Sequence, residues 1–268
     1  MGRGCEAMPL TDFQMALAEV LAENRTFDSY LAGGAAILIE PHTVRYSNDL
    51  DYFHDSERRV ADAFAADRKL LEDRGYSLRI DLTQPGYIRA IVGTGEKTTK
   101  VEWSHDSSWR FMPTVRDERV GFVLHPIDLA VNKVLALAGR DEPRDLLDTI
   151  HLDATVLGLG PLCWAACGKD PGFTPLSLLE LLRRRGRVRP DELARLNLAE
   201  PVDLQALKQT WLAALDLVEP FVAVRPPDEV GCLYYSVTEQ RFVDPVRAAD
   251  AVPHFGRPGG VLPRIETG

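Results

Sequence analysis

Two aspartates separated by one residue are the strongest chemical signal in this sequence. They are Asp49 and Asp51, in the segment VRYSNDLDYF. The alternating and aromatic character of this segment predicts a β-strand over residues 44–53, in which alternate side chains point to the same face. Two carboxylates held this close repel each other unless a cation lies between them. Oxygen ligands suit Mg²⁺, which proteins often hold with one or two carboxylates plus a substrate phosphate.

A third carboxylate is expected on the same patch. Glu102 lies in the run KVEW, residues 100–103. In a strand, Val101 and Trp103 would face the core while Glu102 faces the opposite side. If this strand neighbours the first one, three carboxylates converge. Such a cluster fits phosphoryl or nucleotidyl transfer with two metal ions, one activating the attacking hydroxyl and the other stabilising the leaving pyrophosphate.

Four residues near the aspartates could bind phosphate groups. The pair Gly33-Gly34 precedes a short helix, and backbone N–H groups without Cβ atoms around them can approach a phosphate closely. Arg45 and Ser47 share strand parity with the aspartates and could contact the same phosphates. An ordinary glycine turn and an exposed Asp-x-Asp would explain each piece separately, but the order of the pieces favours a phosphate site.

A second candidate centre lies around Lys133. The segment LAVNKVLALA, residues 129–138, is apolar on nearly every side, which predicts a buried helix with Lys133 as its only charge. A buried lysine is costly unless an anion pairs with it, so we expect a phosphate or carboxylate partner rather than a side chain that extends to the surface. Asp145 and Asp148 would share one face of the following helix. The helix dipole would also explain Asp145.

The elements that must position these residues follow from periodicity and turn formers. A first helix is predicted over residues 11–31, ending before the glycine pair, and an apolar segment over 35–39. The remaining predicted helices cover residues 56–74, 126–138, 143–157, 175–185, 190–197 and 203–218. Strands are predicted over residues 76–82, 87–92 and 99–104, with a late hairpin over 230–243 and an irregular tail.

Together these motifs resemble those of a known superfamily. The order Gly33-Gly34, short helix, Asp49-Leu50-Asp51 resembles the hG[G/S]…Dh[D/E]h signature of DNA polymerase β-like nucleotidyltransferases. With Arg45 and Ser47 included, the pattern resembles the AbiEii/AbiGii toxin family of that superfamily. The second family motif, K…R…RDxxD, is similar to the pattern formed by Lys133, Arg140, Arg144, Asp145 and Asp148. The resemblance extends over residues 30–152.

The resemblance implies an α+β fold in two parts. Residues 1–120 would form a polymerase β-like nucleotidyltransferase core, a small mixed sheet flanked by helices. Residues 121–268 would form a mainly helical C-terminal domain.

The resemblance also implies roles for the site residues. Asp49 and Asp51 would bind Mg²⁺, and Glu102 is expected to join them. Arg45 and Ser47 would lie beside the triphosphate, and Lys133 would contact nucleotide phosphate. One of two acids would support Lys133 or help to deprotonate the acceptor, and the sequence leaves open the choice between Asp145 and Asp148.

The expected reaction transfers a nucleoside monophosphate from an NTP to a hydroxyl acceptor. Family resemblance suggests an RNA acceptor, such as the 3′ end of tRNA, in a toxin–antitoxin or phage-defence setting with an antitoxin protein as a possible partner. One alternative is a nucleotidyltransferase that modifies a small molecule such as an aminoglycoside, since the net charge of −9 would favour a cationic acceptor. Another is a catalytically silent binding protein of the same fold.

Composition agrees with a globular enzyme. Of the 268 residues, 45% are hydrophobic and 26% are charged, and no apolar run approaches the roughly 20 residues of a membrane span. We therefore expect a cytoplasmic protein with no membrane contact. Cys163 and Cys167 are predicted to be buried thiols rather than metal ligands. The arginine-rich segment 183–189 is predicted to be a solvated helix end, unless the substrate is RNA.

Overall fold

The computed structural model describes residues 10–37 and 44–264, which divide into two compact units. The first unit comprises the described residues up to Ser108, then Pro113–His125 and Asn197–Glu200. The second comprises Trp109–Met112, Pro126–Leu196 and the described residues from Pro201 onward.

The described residues form nine α-helices and twelve β-strands. The helices are α1 Asp12–Leu21, α2 Gly33–Ile37, α3 Glu57–Asp73, α4 Pro126–Arg140, α5 Pro143–Thr155, α6 Leu159–Lys169, α7 Pro175–Arg184, α8 Pro190–Leu193 and α9 Leu204–Ala223. The strands are β1 Ser29–Ala32, β2 Asp49–His54, β3 Ser77–Gln84, β4 Tyr87–Thr94, β5 Lys97–His105, β6 Trp109–Arg110, β7 Val115–Asp117, β8 Gly121–Val123, β9 Cys232–Ser236, β10 Arg241–Phe242, β11 Ala251–Phe255 and β12 Arg257–Pro258.

The first unit is built on a seven-stranded mixed sheet in the order β3-β4-β5-β2-β1-β8-β7. The central strands β2 and β5 run parallel, with Asp51 opposite Glu102. On the other side of β2, the antiparallel strand β1 places Ala32 opposite Asp51. The end of β1 and the start of α2 therefore lie beside the aspartates. The expected α+β class is confirmed, although this sheet is larger than the small one predicted.

The alternation of β5 decides which of its side chains point to the core. Val101 and Trp103 are fully buried while Glu102 is half-buried on the other face, as the sequence predicts. The Trp103 ring packs edge-on against Phe64 of α3, and its Nε1 donates to Asp67 Oδ2 at 2.7 Å. Helix α3 thus covers the face of β5 opposite Glu102 and leaves the acidic face uncovered by it.

The predicted helix over residues 11–31 is wrong in its second half. Helix α1 ends at Leu21, and Ser29–Ala32 form the strand β1. All four residues of β1 are buried, so the strand shows none of the alternation that marks a half-exposed one. A short buried strand and a buried helical segment look alike in sequence.

The predicted strand over residues 44–53 begins late, at Asp49. Before it, Arg45 forms an isolated bridge with Leu198, and Gln14 of α1 donates to the Ser47 carbonyl at 3.1 Å. These long-range contacts hold the segment outside the sheet, and local sequence does not reveal them. The end of the apolar segment predicted over 35–39 lies outside the described residues.

The second unit is mainly helical, as expected, with α4 to α9 and two small sheets. The predicted helices at 126–138, 143–157, 175–185 and 203–218 correspond to α4, α5, α7 and α9, whereas α8 is shorter than predicted. Helix α6 was not predicted; it holds the buried free cysteines Cys163 and Cys167. The late hairpin is confirmed by β9 and β10. The prediction of an irregular tail is wrong at β11, which pairs with β9.

Within the two described stretches of chain, no single helix is both long and apolar enough to cross a membrane. The pair α5 and α6 meets the length and composition criteria together, with a bend of 114° between the helices.

Candidate active site

Three carboxylates meet on the face of the central strands that α3 does not cover. Asp49, Asp51 and Glu102 each offer one oxygen, and these oxygens all lie within 4.8 Å of one another. The parallel register of β2 and β5 causes this, because it aligns Asp51 with Glu102 and both aspartates are on the same face of β2. The donor set consists only of carboxylate oxygens at a spacing that one cation can bridge, which is the ligand chemistry of Mg²⁺.

Position 33 requires a glycine, both for its backbone conformation and for its close contact with Asp51. Its φ of +61° lies in the left-handed region, which side chains with a Cβ rarely adopt. A Cβ placed there would lie 2.1 Å from Asp51 Oδ2. The first residue of α2 is therefore a glycine because the backbone passes directly against the Asp51 carboxylate.

Gly34 allows a similar approach by an arginine. A Cβ at Gly34 would lie 2.6 Å from Arg45 Nη2. Arg45 is only 5% exposed, and its Nη1 donates to the Tyr46 carbonyl at 3.1 Å. The sequence predicted that Arg45 shares the parity of a strand with the aspartates; the structure instead places it before the strand, with its guanidinium beside the glycine pair.

Ser47 lies next to the first aspartate through a short turn. Its Oγ donates to the Asp49 carbonyl at 2.8 Å. The Gln14 amide donates both to the Ser47 carbonyl, at 3.1 Å, and to Thr99 Oγ1 on β5, at 3.2 Å. Gln14 is 3% exposed, so this buried amide joins α1, the turn and β5 and positions the start of β2. Sequence reasoning missed Gln14, whose contacts lie far away along the chain.

Sequence reasoning also missed two cations within the cluster. Lys100 Nζ lies 2.8 Å from Asp49 Oδ2 and 3.0 Å from Glu102 Oε1. Arg89 Nε, on β4 opposite Glu102, lies 2.9 Å from the same Oε1. Lys100 has the parity of Glu102 in a predicted strand, and that signal could have found it. The contact of Arg89 with Glu102 depends on the register of β4 and β5, which the sequence does not reveal.

These charges change the acid–base properties of their neighbours. Burial would lower the pKa of Lys100, but the hydrogen bonds and charges of Asp49 and Glu102 outweigh burial and raise that pKa above its usual value. Burial and the adjacent Glu102 carboxylate raise the pKa of the Tyr87 hydroxyl. The cluster therefore keeps Lys100 as an ammonium ion between two acids.

The second unit contains the other predicted residues in one cluster. Lys133 Nζ lies 3.0 Å from Asp145 Oδ1 and 2.8 Å from Asp148 Oδ2, so the expected anionic partner is confirmed as a pair of carboxylates. Arg140 Nε donates to Asp145 Oδ2 at 2.6 Å and its Nη2 donates to Oδ1 at 2.9 Å. Burial would raise the pKa of Asp145, but Arg140 and Lys133 outweigh it and lower that pKa.

The arginine-rich segment lines a cavity of about 690 Å³ in the second unit, together with Lys208 and Trp211 of α9. Four of its arginines are paired with acids. Arg183 lies 3.1 Å from Glu219, Arg184 4.0 Å from Glu180, Arg185 3.4 Å from Asp141 and Arg189 2.9 Å from Glu192. Arg187 and Lys208 are exposed and have no carboxylate partner among the described residues. The predicted solvated helix end therefore holds for Arg183 and Arg184, which are exposed in the last turn of α7, whereas Arg187 lies beyond the helix.

Comparison by sequence identifies no relative, because neither a protein-family model nor a curated protein matches the chain. Comparison by structure identifies several. MenT4, a nucleotidyltransferase toxin from Mycobacterium tuberculosis H37Rv, matches with a TM-score of 0.52 and 16% identity over 81% of this chain and 83% of that one. At this low identity the likeness is one of fold, so the chain shares the fold of that nucleotidyltransferase toxin.

Two further similar structures come from Helicobacter pylori. JHP933 matches with a TM-score of 0.49 and 17% identity, over 80% of this chain and 95% of that one. A second protein, whose nucleotidyltransferase activity is itself a prediction, matches with a TM-score of 0.47 and 17% identity, over 79% and 94% of the two chains.

Proposed function

We propose that this protein is a Mg²⁺-dependent nucleotidyltransferase of the AbiEii/AbiGii type that transfers a nucleoside monophosphate from an NTP to a hydroxyl acceptor. The observation that supports this most directly is the convergence of Asp49, Asp51 and Glu102 on the central strands of a nucleotidyltransferase fold. Three carboxylates within 4.8 Å repel one another and therefore attract cations, two of which, Lys100 and Arg89, already contact the cluster.

In this proposal the three carboxylates bind and orient Mg²⁺ at the sheet face. When bound, Mg²⁺ would make the acceptor hydroxyl more nucleophilic and stabilise the charge that develops on pyrophosphate. The acceptor oxygen bonds to the α-phosphorus of the NTP as pyrophosphate leaves, and an acidic side chain takes the hydroxyl proton. The catalytic set that we propose comprises Asp49, Asp51, Glu102 and Lys133, together with Asp145 or Asp148.

Phosphate binding is assigned to residues with backbone or cationic donors. Gly33 and Gly34 have backbone N–H groups with no side chain of their own in front of them. Arg45 lies against Gly34, and Ser47 is hydrogen-bonded to Asp49. We assign a phosphate contact to Lys133 by the family resemblance. Its two carboxylate partners would keep its ammonium charged and oriented.

We propose an RNA acceptor, such as the 3′ end of tRNA, and a role as a toxin that an antitoxin protein controls. MenT4 is described as a nucleotidyltransferase toxin, and the same role for this chain is an extension from the shared fold. The arginine-rich segment also supports RNA, because Arg187 and Lys208 are exposed cations that could bind phosphates in an otherwise acidic protein.

The test is transfer of label from α-³²P NTPs to total RNA with Mg²⁺, comparing wild type with Asp49→Ala. Asp81→Ala is the matched control, because Asp81 is an exposed aspartate of the same sheet on the outer strand β3. We expect label in RNA with wild type and Asp81→Ala and none with Asp49→Ala.

Other outcomes would redirect the proposal. Label that enters an aminoglycoside and not RNA would replace the RNA acceptor with a small molecule. No transfer from any NTP to either acceptor would favour a silent binding protein of this fold. If RNA is the acceptor, Arg187→Glu and Lys208→Glu should each weaken RNA binding and reduce its salt dependence.

A further inference from the structure

Lys100 occupies an unusual place for a lysine, between two of the proposed metal ligands. Its Nζ is within hydrogen-bonding distance of Asp49 and Glu102, at 2.8 and 3.0 Å. Its side chain is 30% exposed, whereas those of Asp49 and Glu102 are 7% and 15% exposed. The ammonium is therefore the more exposed partner in both ion pairs, with a path into solvent.

The cluster has a second cation, Arg89, whose side chain is held by different contacts from those of Lys100. Of the three acids, Glu102 is the one in ion-pair contact with Arg89 among the described residues, and the Arg89 guanidinium lies over the Tyr87 ring, 5.5 Å from its centroid. Lys100 instead bridges two acids from neighbouring strands, because Asp49 is its register partner. The ammonium of a flexible lysine side chain can leave such a position more easily than a guanidinium that stacks on an aromatic ring.

We propose that Lys100 is a displaceable internal cation, which bridges Asp49 and Glu102 in the metal-free protein and leaves them when a divalent ion binds. The ammonium and the ion would share the carboxylates of a cluster that is less than 5 Å across. At that separation an ammonium and a divalent ion repel each other appreciably. Departure of the Lys100 head into solvent leaves no buried, unpaired charge.

The inference rests on the proposed metal-dependent function, and it predicts how Lys100 limits metal affinity. Removing the ammonium removes a competitor and leaves the three carboxylates intact. Lys100→Met, which keeps the length of the side chain, should therefore tighten divalent-ion binding by about tenfold. Lys100→Arg keeps a cation in place and should remain within about twofold to threefold of wild type.

The experiment measures binding of Mn²⁺ alone to the full chain, without nucleotide, from the electron paramagnetic resonance signal of free Mn²⁺. The control is Lys97→Met, because Lys97 is an exposed lysine of the same strand and reports the general effect of losing one positive charge. We expect a lower Kd for Lys100→Met and an unchanged Kd for Lys97→Met. An unchanged or higher Kd for a folded Lys100→Met overturns the inference, as does an equal fall for both variants.

Asp49→Asn separates this inference from the proposed function. If Asp49→Asn binds Mn²⁺ as tightly as wild type, the carboxylate cluster is not the metal site and the proposed function itself fails. If Asp49→Asn loses the site while Lys100→Met binds like wild type, only the role of Lys100 is overturned. Should Lys100→Met fail to fold, Lys100→Gln provides the same comparison with a polar side chain.

Discussion

Lys100 and Lys133 each lie between two carboxylates at the same pair of distances, 2.8 and 3.0 Å, yet their surroundings differ. Lys133 is 6% exposed, and its partners Asp145 and Asp148 are 0% and 3% exposed. Lys100 is 30% exposed at the edge of its cluster. The comparison teaches that burial, rather than contact distance, separates a cation that can be exchanged from one that is fixed in place.

The acids around the two lysines also differ in how firmly they are held. Asp145 receives Arg140 through two hydrogen bonds in addition to Lys133, and Thr149 Oγ1 donates to its carbonyl at 2.6 Å. The acids around Lys100 are less enclosed, since Asp49 and Glu102 share the partly exposed ammonium of Lys100 and Glu102 also contacts Arg89. A partly exposed ammonium at a carboxylate cluster suits a site that gains a metal ion, whereas the buried contacts of Lys133 hold its ammonium in one place.

The largest expected effect is loss of activity without loss of fold when an acid of the sheet cluster is neutralised. Asp51→Asn should lower kcat by at least about 1,000-fold, because an amide cannot replace a carboxylate as a ligand for Mg²⁺. It should leave the melting temperature equal to or above that of wild type, since it relieves repulsion. Nucleotide transfer and thermal unfolding measure the two effects, with Asp81→Asn as control. A large fall in melting temperature would contradict the view that the sheet cluster serves function rather than stability.

The second prediction concerns stability in the buried cluster. Lys133→Met should destabilise the protein by about 3–5 kcal/mol, because it leaves two buried carboxylates without their ammonium partner. Lys100→Met should cost only about 1 kcal/mol or less, since its ion pairs are partly exposed. Thermal unfolding of the two variants provides the comparison. Equal losses of stability would show that burial does not distinguish the two lysines.

The acid cluster could be predicted largely from sequence. The strict alternation of Val101, Glu102 and Trp103 gave the orientation of the third acid, and the apolar surroundings of Lys133 required an anion. Both inferences depend on residues a few positions apart, where the geometry of a strand or helix is sufficient.

The parts that could not be predicted depend on contacts distant in sequence. Arg89 meets Glu102 only because β4 pairs with β5 in one register, and Gln14 reaches Ser47 across 33 positions. The strand β1 was taken for helix because its burial on both faces removed the alternation that identifies a strand. The acids could therefore be identified from the local sequence pattern, whereas Arg89 and the positioning residue Gln14 could be identified only from the tertiary structure.

The third prediction tests how closely the backbone must approach the acid cluster. Gly33→Ala places a Cβ 2.1 Å from Asp51 Oδ2 and should reduce kcat by about 100-fold, because the carboxylate must move. Gly95→Ala is the matched control: its φ of +57° is similar, but a Cβ there meets nothing within 4 Å. Both variants should lose about 1–2 kcal/mol of stability from the left-handed backbone. Equal activity of the two would show that the contact with Asp51 is unimportant.

The smallest expected effect concerns the hydroxyl of Ser47, whose Oγ donates to the Asp49 carbonyl at 2.8 Å. Ser47→Ala removes one neutral hydrogen bond, worth about 1 kcal/mol, and should reduce kcat by about fivefold because Asp49 is held less firmly. Ser77→Ala removes the same kind of bond, from Ser77 Oγ to the Gly93 carbonyl at 3.1 Å, far along the sheet from the acids. It should lose similar stability and keep full activity in the same transfer assay. If both serine variants lose activity equally, the effect of Ser47 arises from the stability of the sheet; if only Ser47→Ala does, it arises from the geometry of Asp49.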